Sequence, residues 1–103
     1  MDEEKIRKEN RDRFVDEVAA GVIKDALGEE DKKDVCDDPF GFACHFTLKI
    51  FVGLYVREMY KISEDPTGMV REFFTDDTLS REICKEIIRR LCGVESDYDI
   101  RNG

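Results

Sequence analysis

The stretch from Pro39 to Ile62, PFGFACHFTLKIFVGLYVREMYKI, constrains this chain more than any other. Wound as a helix, it sets Phe40, Phe42, Phe46, Leu48, Ile50, Phe51, Val52, Leu54, Tyr55, Val56, Met59 and Ile62 around nearly the whole circumference. A helix that is apolar all round is either enclosed in a core or spans a membrane. Charge decides against spanning. His45, Lys49, Arg57, Glu58 and Lys61 lie inside the stretch, and its longest run free of both histidine and charged residues is only Ile50 to Val56. A charge near the centre of a span costs about 2.5–3.5 kcal/mol. The expectation is therefore a buried central helix over about 39–62, jacketed by the rest of the chain.

The rest supplies one-sided helices. Asp2 to Leu27 reads as the first. Its start, DEEKIRKENRDR, is almost wholly charged, a solvated extension over about residues 1–12. From Phe14, apolar residues recur at three- and four-residue intervals: Val18, Ala19, Val22, Ile23, Ala26 and Leu27. Ala19, Ala20 and Gly21 are small enough to admit a neighbouring helix, and Gly28 is placed to close the helix with a positive φ. Glu29 to Asp38 reads as a charged connection with at most one helical turn. Asp38–Pro39 is an N-cap followed by proline at the first helical position, and it opens the central helix. Gly41 and Gly53 inside that helix suggest close passage of a neighbour. Asp65–Pro66 repeats the opening signal for a short helix to about Phe74. Thr78 to Cys92, capped by Asp77, carries the cleanest apolar stripe, through Leu79, Ile83, Cys84, Ile87, Ile88 and Leu91. Gly93 ends it, and a polar tail over about 94–103 follows, with Tyr98 and Ile100 as docking points. No alternating strand pattern appears. The fold class expected is all-α: one domain, a multihelical bundle of about four to five helices around 39–62.

Charge narrows the partners. The chain has 103 residues, 41% of them charged, and a net charge of −8. The usual charged share is about 25%. Such a surface repels nucleic-acid phosphate, which basic patches normally bind. A DNA-binding regulator is the least favoured alternative; only the last helix, ending Arg89–Arg90, offers a basic reading element. The abundant Glu and Lys resemble heat-adapted compositions. The start MDEEKIRKEN lacks an apolar signal region, so the expected location is cytoplasmic.

Four cysteines, Cys36, Cys44, Cys84 and Cys92, form two pairs eight positions apart. On one helix, such positions stand about 12 Å apart along the axis and about 80° apart around it. They cannot share one ion or one disulfide within a helix. The leading reading is four buried thiols. A disulfide between helices, Cys36 or Cys44 with Cys84 or Cys92, is an alternative, as is a redox or metal module built on all four. His45 adjoins Cys44, but neighbours on a helix diverge by about 100°, so they form no nucleophile pair. His45, Lys49, Arg57 and Lys61 fall on a four-residue repeat that winds by about 40° per step. This concentrated line of positive charge reads either as a solvated seam or as a partner-binding strip. No phosphate loop, nucleophile elbow, zinc motif or dinucleotide fingerprint occurs, so neither a catalytic residue nor a cofactor is expected.

With PFGFACHFTLKIFVGLYVREMY set between two acidic, capped breaks, the chain resembles a family of small archaeal proteins. These are encoded with the membrane-bound energy-converting hydrogenase A of methanogens and named as its subunit M. The likeness lies in size, acidity, all-helical layout and the aromatic central helix. It implies a small soluble accessory subunit, peripheral to a membrane complex, with hydrogenase subunits as partners and no catalytic residues. The expected function is thus that of a non-catalytic interaction protein, with homodimerisation expected if the jacket is too small for the central helix.

Overall fold

A computed structural model describes residues 2–94. The tail read at about 94–103, with Tyr98 and Ile100, lies outside the described residues apart from Val94. The chain opens with α1 (Glu3–Gly21), where Asp2 accepts a hydrogen bond from the Lys5 N–H and Glu3 and Glu4 occupy the first turn. Acidic groups there meet the positive end of the helix dipole. Residues 2–9 are exposed; burial begins with Phe14, Val18 and Ala19. A wider π turn, Val22–Ala26, continues the helix.

Gly28 does not close this helix with a positive φ. Its φ is −80°, and it opens α2 (Glu29–Asp37), donating its N–H to the Asp31 carboxylate at 3.0 Å. The segment read as a connection is therefore helical. Three acidic residues in its first turn favour that end, and Val35 is its buried anchor. Asp38 ends α2 instead of opening a new helix. Pro39 and Phe40 form a turn closed by the Gly41 N–H on the Asp38 carbonyl at 3.1 Å. The central helix, α3 (Phe42–Met59), starts only after that turn.

After a 3-10 turn at Ile62–Glu64 comes α4 (Met69–Thr75). Here the second Asp-Pro does cap a helix, at one remove. The Asp65 carboxylate accepts from the Val70 and Arg71 N–H groups at 3.1 and 3.0 Å. Gly68, at φ 77°, turns the chain between them, in the left-handed region that glycine enters without steric cost. Asp76 accepts from the Thr78 N–H at 2.9 Å and so caps α5 (Asp77–Cys92), one residue before the expected cap. Gly93, at φ 72°, ends α5.

The architecture is all-α, with five helices and no strand among the described residues. What departs from expectation is which helix is surrounded. It is α5 that packs on α1, α2, α3 and α4 together. Leu79, Ile83, Ile87 and Ile88 are fully buried along it, beside Ser80 and Cys84. By contrast, α3 is covered on one side only, through His45, Leu48, Val52 and Val56. The helix over 39–62 is thus half enclosed. Its apolar surface exceeds what its neighbours can cover, because α2 has nine residues and α4 seven.

Side-chain ties fasten the arrangement. Arg11 of α1 takes Glu72 of α4 and Glu82 of α5, the latter at 3.0 Å from Nε. Arg90 of α5 takes Asp16 of α1, and Glu86 at 2.7 Å. Tyr55 of α3 packs directly over Gly21 of α1, where a Cβ would collide with its ring. This is the close approach that the small residues of the first helix permit. No such passage occurs at Gly41, whose space faces the Asp38 carboxylate, or at Gly53, where a Cβ would meet nothing within 4 Å.

Candidate functional site

The outer side of α3 is the prominent surface feature. Residues four apart on a helix stay within about 40° of one another, so Phe42, Phe46, Ile50 and Leu54 form one line. Their exposures are 73%, 56%, 49% and 53%. The rings of Phe42 and Phe46 stack at 6.1 Å between centroids. With about 200 Å² for each fully bare large side chain, the stripe exposes roughly 500 Å² of mostly apolar surface. Gly53 lies beside it as a smooth gap. Met59 and Ile62, also exposed, extend the apolar character past the helix end.

Two cavities flank this stripe. One, about 130 Å³, is lined by Phe42, His45, Phe46, Lys49, Arg81 and Cys84. The other, about 270 Å³, lies between α2 and α3; Asp31, Asp34 and Asp38 line it together with Val35, Cys44 and Phe51. At 100° per residue, the α3 residues of the two cavities centre about half a turn apart, one on each side of the stripe. They also sit at nearly the same height along the helix. One flank is therefore basic and the other acidic.

No family model, curated protein or solved structure matches this chain. Among the described residues, no helix is long and apolar enough to cross a membrane.

The line of positive charge expected from the sequence does not form one strip. His45 is buried on the inner side of α3. Lys49 reaches Asp77 of α5 at 3.9 Å. Arg57 and Lys61 are exposed. The four-residue row winds around the helix, from the buried His45 through the partly exposed Lys49 to the exposed Arg57, and Lys61 lies beyond the helix end.

The cysteines divide into two kinds, which corrects the reading of four buried thiols. Cys36 and Cys92 form a disulfide with Cα atoms 5.4 Å apart, tying α2 to the end of α5. Cys44 and Cys84 are thiols. Burial pushes Cys84 up to about 12; Lys49 pulls the other way and Cys44 adds to the rise. Burial, then the Asp38 charge, raises Cys44 as well. A reactive cysteine needs a stabilised thiolate, and both environments oppose one. Among the described residues, no three His, Cys, Asp or Glu side chains gather as a metal site. Sequence reasoning anticipated apolar surface left uncovered by the short helices, but not which α3 residues would form it. The available signal was the imbalance between a helix apolar all round and the short segments left to cover it.

Proposed function

We propose that this is a non-catalytic interaction protein, a small accessory subunit that joins other protein through the bare side of α3. The observation that carries this reading is the four-residue apolar stripe. Patches of about 300–600 Å² are the largest that monomers usually show, and they commonly serve binding. The thiol environments fit the same reading, since neither Cys44 nor Cys84 is set up as a nucleophile. The narrower proposal makes the chain a peripheral subunit of a membrane-bound energy-converting hydrogenase. It is supported by the likeness in size, acidity and helical layout alone.

The test is affinity capture from native extract with the tagged full chain and with its Leu54→Asp variant. The expected result is a stoichiometric protein partner, a second copy of the chain included, that the variant loses. Absence of any partner dependent on Leu54 overturns the reading. Hydrogenase subunits among the captured proteins support the narrower proposal, and their absence removes it.

A further inference from the structure

We infer that the occupant of the α3 stripe is a second copy of this chain, with the two α3 helices parallel about a two-fold axis that runs along them. This rests on the reading of the stripe as a protein-binding face and adds the identity and orientation of what covers it.

Area is the first ground. Two stripes together bring roughly 1,000 Å², and the exposed Ala43 and Thr47 beside them add to it, against the ~1,200 Å² at which stable interfaces begin. Gly53 leaves the backbone open, with nothing within 4 Å of its missing Cβ, so a facing helix can approach closely there.

Charge is the second ground, and it fixes the orientation. At net −8, two copies repel at long range, and apolar contact alone selects no direction. A two-fold axis along the helices exchanges the flanks. The Lys49 and Arg81 side of each copy then meets the Asp31, Asp34 and Asp38 side of the other, at the same height. Arg57 and Glu58, at the lower end of the stripe, lean toward the basic and acidic flanks respectively, and the same exchange pairs them. The alternative two-fold, across the helices, sets carboxylates against carboxylates and cations against cations. Such an interface is isologous, as closed dimers require.

Sedimentation equilibrium of the full chain tests this. The expected species has twice the 12.0 kDa chain mass. Phe46→Asp raises the dissociation constant by about 30-fold or more, as for a buried aromatic anchor. Asp34→Lys and Arg81→Glu each weaken the dimer by about tenfold, and the double variant restores it, because opposite charges again face each other across the axis. Within one copy, the two positions lie on opposite sides of α3, so that rescue arises only between copies. All three positions are exposed, and circular dichroism checks that each variant keeps its fold. A species of single-chain mass throughout the concentration series overturns the inference. So does a dimer indifferent to Phe46→Asp, or a double variant no better than the single ones. If the isolated chain is monomeric while capture from extract still depends on Leu54, the second copy is excluded and the proposed function stands; if neither occurs, both fall.

Discussion

Two glycines in helical segments have opposite surroundings. A Cβ at Gly53 meets open space, whereas one at Gly21 meets the Tyr55 ring. Replacing glycine by alanine in a helix gains about 1 kcal/mol. Overpacking costs about 1–3 kcal/mol. In the single chain at low concentration, Gly53→Ala is therefore expected to raise the unfolding free energy by about 1 kcal/mol. Gly21→Ala is expected to lower it by about 1 kcal/mol, once the two effects are set against each other. Urea titrations of both variants check the signs. Tyr60 adds a pH dependence. Its hydroxyl donates to Glu17 at 3.5 Å and its ring lies 5.3 Å from that of Phe14. Burial, then the Glu17 charge, pushes its pKa up to about 12 from 10.0. Folding thus favours the protonated phenol. The stabilisation is complete below pH 10 and is lost as pH rises through about 12. Circular dichroism against pH is expected to show an alkaline limb in that window, shallower in Tyr60→Phe.

Among the elements, α2 is the one least able to stand alone. It has nine residues and a single buried anchor, Val35. Isolated helices shorter than about 12–15 residues are marginal in water. The Cys36–Cys92 bond closes a loop with sequence separation 56. Loop-closure entropy assigns such a cross-link about 4 kcal/mol. The double variant Cys36→Ser, Cys92→Ser is expected to unfold with that much less free energy in urea, and reduction of the native chain to match it. This element was also the least legible in the sequence. EEDKKDVCD has no apolar period, and its helicity comes from acidic residues in the first turn and from docking on α5. The same Asp-Pro pair led to a turn at 38–39 and to a cap at 65–66. The difference lies upstream: at Asp38 a helix is already ending, while Asp65 follows a short turn with Gly68 free to bend the chain back beneath its carboxylate.

For the molecule as a whole, helix content and approximate boundaries could be read from periodicity, but the centre could not. The most apolar segment looked like the core, yet a helix earns burial only where neighbours have surface to offer. The narrow stripe of α5 meets four helices, and the broad one of α3 outruns its cover. Ile87→Ala is expected to cost about 2–5 kcal/mol, as for a fully enclosed side chain. Ile50→Ala, in the single chain at low concentration, is expected to stay within about 0.5 kcal/mol. Chemical denaturation of the pair measures which helix carries the fold. The hub is also the last helix among the described residues, and that sets a timetable. While the ribosome still holds residues 77–92, the four earlier helices have nothing to assemble around, so a nascent chain arrested before α5 emerges has no closed interior. Folding here must wait until residue 92 has left the ribosome.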